Sequence, residues 1–276
     1  MNRLSVLLAT SVLAACTSIG PQHKAPELAM PAAYRAADGW KPAEPADHLP
    51  RGDWWRSYDD AVLDALIVRL DHANPDLQSA LGSYRQARAA AQQARAAYYP
   101  QVNLSASATR SRSAGTAGRE GTLSTSDRIG LDASWEADLW GRIGRGVEAA
   151  GADLAGSSAD LASVRLSLQA ELVQNYFQLR ATDSQRELYA RTVAAYQRAL
   201  DVARNRVAAG VTTRADEVQA LAQLRAAQAQ VVDLALVRTQ LQNAIAVLVG
   251  EAPAAFALEA AGWPAQPPAT PVGLPS

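Results

Sequence analysis

Apolar and polar residues alternate strictly from Arg128 to Leu139. Ile129, Leu131, Ala133, Trp135, Ala137 and Leu139 are apolar, and Arg128, Gly130, Asp132, Ser134, Glu136 and Asp138 stand between them. A period of two describes a strand with one greasy face and one wet face. Directly after Pro100, Val102, Leu104, Ala106 and Ala108 alternate in the same way with Gln101, Asn103, Ser105, Ser107 and Thr109. The pattern predicts strands over 101–109 and 128–139, joined by an exposed Ser-, Thr-, Gly- and Arg-rich loop over 110–127. Strands of about ten residues are long enough to cross a bilayer at a tilt. The same alternation also fits a half-buried hairpin of a soluble protein. Tyr98, Tyr99, Trp135 and Trp140 gather toward one end of this hairpin, where an interfacial aromatic belt would sit.

On both sides the period changes to that of a helix. Helices are predicted over 60–72, 75–98, 143–209 and 213–249. In the first, Val62, Leu63, Leu66, Ile67 and Leu70 share a face. Asn74-Pro75-Asp76 starts the second: Asn74 caps, Pro75 suits the first helical position, and Asp76 meets the positive helix end. Leu77, Tyr84, Ala91 and Tyr98 then recur every seven residues, with Ala80, Ala87 and Ala94 as the second seam. The third runs from Ile143 to Ala209 without a proline. Its roughly 67 residues at ~1.5 Å rise make a rod of about 100 Å, several times the usual helix. Val147, Leu154, Leu161 and Leu168 repeat every seven; the series jumps by four to Leu172, Leu179, Val193, Leu200 and Val207, with Arg186 as its polar exception. Such a stutter locally unwinds a left-handed supercoil, which predicts a nearly straight first half and a supercoiled second half. Gly210 ends the rod, and Thr213 with Asp216 three residues later restarts a helix, so residues 206–218 form a tight tip. The return helix carries Leu234, Val237, Leu241, Ala244 and Leu248 on a seam and stops at Gly250.

Composition sharpens this picture at a few points. Hydrophobic residues make up 49% of the chain but aromatics only 6%, so alanine dominates, as in long packed helices. A formal net charge of −1 argues against a nucleic-acid binder. A single cysteine excludes a disulfide framework and a cysteine-based metal site. That cysteine stands in a telling place. Arg3, the short apolar run Leu4–Leu13 and Leu13-Ala14-Ala15-Cys16 resemble a bacterial lipoprotein signal. Residues 1–15 would be removed and Cys16 acylated; the alternative is a plain cleavage site and a free thiol. Thr17 rather than Asp follows the cysteine, which in enteric-type sorting implies the outer membrane. Residues 16–53 read as a proline-rich extended arm, Trp54-Trp55 as the onset of packed structure, and 254–276 as a proline-rich linker.

No catalytic constellation is apparent. His23, His48 and His72 are scattered, and no glycine-rich phosphate loop leads into a helix with a lysine. Asp59 and Asp60 read as capping residues, and Glu136 and Asp138 as acids facing a wet lumen. No cofactor, metal or enzymatic site is expected.

Several segments together resemble a known family, the outer-membrane efflux lipoproteins of the TolC/OprM/NodT type. They are Leu13–Cys16, Gly20-Pro21 with Pro26, Trp54-Trp55 with Tyr58-Asp59 and Leu63, Asn74–Leu77, and Tyr99-Pro100. Further matches are Gly210 with Asp216 and Val218, and Leu248-Val249-Gly250 with Pro253. The most specific match is Ser134-Trp135-Glu136-Ala137-Asp138-Leu139-Trp140-Gly141-Arg142, whereas His23 departs from the tyrosine often found there. The resemblance implies an α+β membrane protein, with long antiparallel coiled-coil helices forming an α-barrel segment and the hairpin contributing to an outer-membrane β-barrel. It implies a passive exit duct for drugs or other small molecules, trimeric in the family and served by a periplasmic adaptor and an inner-membrane pump. It also implies that Arg206, Gly210, Thr213 and Asp216 lie at the tip where adaptor hairpins dock, although helix-turn chemistry accounts for the same residues. The family builds each protomer from two such repeats and this sequence holds one. A truncated or split protein is therefore expected, completing a pore only with a partner half or in a higher assembly. A lipid-anchored coiled-coil scaffold with a soluble hairpin is the alternative.

Overall fold

The structure, a computed structural model, describes residues 20, 21, 24, 52–115, 117–118 and 121–263. Cys16, its signal, most of the N-terminal arm and residues 264–276 lie outside the described residues. A short 3-10 turn (Trp54–Tyr58) precedes helices α1 (Ala61–Ala73) and α2 (Pro75–Ala96), strands β1 (Gln101–Arg112) and β2 (Leu123–Ser134), and helices α3 (Arg142–Ala208) and α4 (Arg214–Leu248). The chain divides into two compact units, one of Met1–Ala25 with Gly82–Ala159 and the other of Pro26–Leu81 with Asp160–Ser276. Helices α2 and α3 contribute residues to both.

The first unit holds the hairpin. β1 and β2 pair antiparallel from Gln101↔Ser134 to Arg112↔Leu123. The predicted strand 128–139 is displaced: β2 begins five residues earlier and ends at Ser134. Two causes account for the shift. Pro100 precedes β1 and lacks an N–H, so residues beyond Ser134 have no ladder partner. At the far end Leu123–Asp127 is mostly polar yet pairs with Ala108–Arg112, because the backbone ladder forms without hydrophobic alternation. β1 likewise runs three residues past the predicted 109.

The second unit holds the hydrophobic core. Leu63, Leu66, Ile67 and Leu70 of α1 pack with Trp55, with Leu172, Val173, Tyr176 and Leu179 of α3, and with Ile245, Ala246 and Leu248 of α4. Truncating a fully buried leucine of this kind to alanine costs about 2–5 kcal/mol. Asp60 caps α1, its Oδ1 accepting from the Val62 and Leu63 N–H groups at 2.9 and 3.1 Å. Its other oxygen accepts from the Tyr176 hydroxyl at 2.6 Å, and Arg180 Nη2 donates to that hydroxyl at 2.9 Å. Burial and the hydrogen bond to Asp60 push the Tyr176 phenol up from 10.0 to about 12, against the opposing pull of Arg180.

A raised phenol favours the fold while it stays protonated. Its contribution is whole below pH 10, where the unfolded tyrosine titrates, and is lost as the pH rises through about 12. Thermal melts between pH 9 and 12 are therefore expected to show an alkaline destabilisation on the order of 2 kcal/mol that Tyr176→Phe lacks. Identical alkaline profiles for the two proteins would refute this.

The described residues after α4, up to 263, form no helix or strand, but side chains of the long helices pin them. Gln242 Nε2 donates to the Phe256 carbonyl at 3.0 Å, Arg238 Nη2 to Leu258 at 2.7 Å, and Arg180 Nη1 to Glu259 at 2.9 Å. The Ala261 N–H donates to Asp183 at 3.3 Å, and the Trp263 N–H to Ser184 at 2.7 Å. Residues 254–263, expected to begin a linker, thus belong to the body of this unit.

Candidate functional site

The hairpin is unusual in what it leaves uncovered. In its register Val102 faces Ala133, Leu104 faces Leu131 and Ala106 faces Ile129, so both strands put their apolar residues on one side. Asn103 with Asp132 and Ser107 with Arg128 form the other side. Val102, Leu104, Ile129 and Leu131 are 62, 75, 81 and 71% exposed. No residue of either strand is buried. Among the described residues neither outer edge pairs with another strand.

At the proximal end of the hairpin stand the four aromatics. Tyr98, Tyr99, Trp135 and Trp140 are all exposed. The Trp135 indole N–H donates to the Tyr98 carbonyl at 3.1 Å, which fixes the ring across the start of β1. The Tyr98 hydroxyl reaches the first turn of α3, lying 3.3 Å from where a Cβ on Gly144 would stand. Glu136 and Asp138 do not serve as a free acid pair. Asp138 caps α3, its two oxygens accepting from Ile143 and Gly144 at 3.0 and 2.8 Å, while Glu136 takes Arg142 at 2.6 Å. Sequence alternation had placed both on a strand; the helix start claims them instead, because orphan N–H groups there need an acceptor. Partial desolvation pushes the Asp138 carboxyl up, but the Gly144 and Ile143 N–H groups and the Arg142 charge outweigh it and hold it below 3.8. The cap therefore contributes fully above that pH and is lost as the pH falls through the depressed value. Arg145, one turn on, donates from Nη2 to the Gly20 carbonyl at 2.8 Å.

The turn between α3 and α4 brings Arg206, Gly210, Thr213 and Asp216 together. Gly210 adopts φ 69°, its N–H donating to Val207 and the next, that of Val211, to Arg206 at 2.9 Å. This is a glycine-terminated helix end with its last carbonyls satisfied. Thr213 occupies the cap position of α4, but its side chain makes no capping bond. It is Thr212 whose hydroxyl donates to the Asp216 carboxylate. The difference is local: with a full turn of backbone already closed by the Asp216 N–H on the Thr213 carbonyl, the acid is reached by the preceding hydroxyl. Arg204 and Glu217, 3.2 Å apart, tie the two helices just inside the tip. Val211 and Val218 are left 75 and 64% exposed.

The hairpin is thus bare on both faces, and the helix that follows it is 67 residues long. Among solved structures the chain is similar to the outer-membrane channel OprN, with a TM-score of 0.74 and 29% identity over 93% of this chain and 57% of that one. It is also similar to the open state of the MtrE channel of Neisseria gonorrhoeae, with a TM-score of 0.67 and 25% identity over the same shares. The chain belongs to the outer membrane efflux protein family, whose model matches residues 66–251. That is a family of efflux ducts rather than of enzymes. The chain is 30% identical to the fusaric acid resistance protein FusA of Burkholderia cepacia, covering 99% of this chain and 52% of that protein. It is 32% identical to the pyoverdine export outer membrane protein OpmQ of Pseudomonas aeruginosa, covering 100% of this chain and 59% of that protein. The chain thus spans little more than half the length of these relatives.

Proposed function

We propose that this chain supplies membrane strands and periplasmic helices to the outer-membrane duct of a tripartite efflux system, through which small molecules leave passively. The observation that carries the reading is the apolar face of the hairpin, exposed at Val102, Leu104, Ile129 and Leu131. Water makes such a face costly at ~25 cal/mol per Å², and lipid removes the cost. Open strand edges are not tolerated in a bilayer, so β1 and β2 pair with strands of further copies or of a partner half. The homotrimer is the family's arrangement.

Two features support the placement of the aromatic end at the periplasmic face of the membrane. Tyr98, Tyr99, Trp135 and Trp140 have the amphipathic rings that settle at headgroup level. An acylated Cys16 lies four residues before Gly20, within about 14 Å even if fully extended, and Gly20 is held at Arg145. By family resemblance, the tip of Arg206, Gly210, Thr213 and Asp216 is where a periplasmic adaptor coupled to an inner-membrane pump would dock. Exposed Val211 and Val218 supply apolar contact there.

A lysine at position 131 tests the membrane role. Leu131→Lys is expected to cost about 2–4 kcal/mol of insertion at mid-bilayer depth. Carbonate- and urea-resistant protein should fall sharply in the outer-membrane fraction, whereas Ser105→Lys on the polar face should leave it unchanged. Equal fractionation of both variants would favour a soluble hairpin on a lipid-anchored scaffold.

A further inference from the structure

The aromatic end carries an open cavity of about 460 Å³. Small residues leave the space: Ala94 of α2, Ala97 just beyond its end, and Gly146 of α3. The rings of Tyr99 and Trp135 line it, and so does the Glu136–Arg142 pair. The Trp135 indole N–H donates to the Tyr98 carbonyl, which orients the ring at the cavity wall. Glu136 and Arg142 meet at 2.6 Å while their side chains remain 66 and 70% exposed. A pair so open to water binds itself only weakly. It therefore presents a carboxylate and a guanidinium, side by side, to anything that carries both opposite charges.

We propose that this cavity binds the headgroup of a zwitterionic phospholipid bearing a primary ammonium and a phosphodiester. The ammonium donates to Glu136 and lies against the faces of Trp135 and Tyr99, as a cation on an aromatic surface. Arg142 donates to the phosphate oxygens with its planar fork. The acyl chains leave along the exposed apolar face that begins at Val102 and Ala133. The proposal rests on the membrane placement above and adds to it a choice among lipids. A quaternary choline head keeps the ring contact but has no hydrogen to give Glu136. A glycerol head offers no cation.

Native mass spectrometry of the full chain, released from micelles doped equally with phosphatidylethanolamine, phosphatidylcholine and phosphatidylglycerol of identical acyl chains, tests this. The ethanolamine lipid is expected to be retained about tenfold over the other two, the value of one charge-assisted hydrogen bond. Glu136→Gln should abolish the preference for ethanolamine over choline, and Arg142→Gln should lower retention of every phospholipid. Equal retention of the three lipids, or an unchanged preference in Glu136→Gln with normal helix content, overturns the site. Displacement of the lipid by millimolar phosphoethanolamine lacking acyl chains would overturn it too, assigning the cavity to a soluble zwitterion. Flotation with liposomes separates the two levels. A protein that floats with all headgroups alike keeps its membrane role and loses this site; one that never floats loses both.

Discussion

Asp183→Ala is expected to destabilise the protein by about 3 kcal/mol, the low end of the range for breaking a buried ion pair by removing one partner. The Asp183 side chain is 4% exposed and that of Arg238 15%, with Oδ1 and Nε 2.6 Å apart. Arg186 Nη1 stands 3.7 Å from the same oxygen, and the Ala261 N–H donates to the other. Without the carboxylate, a guanidinium stays enclosed with no counter-charge, and the segment after α4 loses an anchor. The low end applies because Arg238 keeps its bonds to Gln242 Oε1 and to the Leu258 carbonyl at 2.9 and 2.7 Å. The double variant Asp183→Leu with Arg238→Met should recover much of the loss, since apolar packing replaces such pairs at little cost. Melting of the detergent-solubilised full chain, followed by far-ultraviolet circular dichroism, measures both. A change in Asp183→Ala within about 0.5 kcal/mol, the spread of ordinary surface substitutions, would contradict the account of this pair.

Gly250→Ala is expected to cost more than its counterpart at the tip, although the two glycines end their helices in the same way. Gly210 and Gly250 adopt φ 69° and 74°. The N–H after Gly250, that of Glu251, donates to Ala246 at 2.9 Å, as Val211 does to Arg206. A side chain in this left-handed region costs about 1 kcal/mol at either site. The surroundings then divide them. A Cβ on Gly210 meets nothing within 4 Å, whereas on Gly250 it would stand 2.5 Å from the backbone oxygen of Ala73. That oxygen belongs to the turn between α1 and α2, where the Asn74 side chain donates to the Leu248 carbonyl at 2.9 Å and accepts from Leu77 N–H at 2.9 Å. Asn74 is 2% exposed, so a shift that breaks its bond to Leu248 leaves a buried donor unsatisfied. With about 1–3 kcal/mol for that group added to the backbone term, Gly250→Ala should lose about 3 kcal/mol or more. Gly210→Ala should lose about 1 kcal/mol. Equal losses in the two melts would mean that the close approach of Ala73 is not a constraint.

What the sequence made legible was whatever repeats. The α2 seam of Leu77, Ala80, Tyr84, Ala87, Ala91 and Ala94 is buried or half-buried, while Tyr98, its last expected member, stands past the helix end and is exposed. The shift of series in α3 at Leu168–Leu172 coincides with entry into the core, where Leu172 and Leu179 are fully buried. Turn chemistry was legible as well, since Gly210 and Asn74 are fixed by backbone needs local to them. The buried polar groups of the second unit were not. Arg180, Asp183 and Arg238 carry no seam spacing, and part of their bonding is to Glu259, Ala261 and Leu258, in a stretch without a period. Strand limits were half legible. Alternation found the paired apolar face but ran on through Glu136 and Asp138, whose polarity serves a helix start rather than a sheet face. A carboxylate shortly before a helix is the signal that separates the two cases. At the candidate site the residues of the aromatic end were all readable, but their cavity was not, because it depends on small residues brought in by two helices.

The central claim is that the two faces of the hairpin meet different media. Single thiols introduced along β1 and β2 of the full chain, in permeabilised cells with Cys16 acylated, test it through a water-soluble maleimide. The account predicts a period of two: thiols at 102, 104, 129 and 131 shielded by lipid, and those at 103, 105, 130 and 132 labelled from the lumen. Labelling of both sets to the same extent would contradict it.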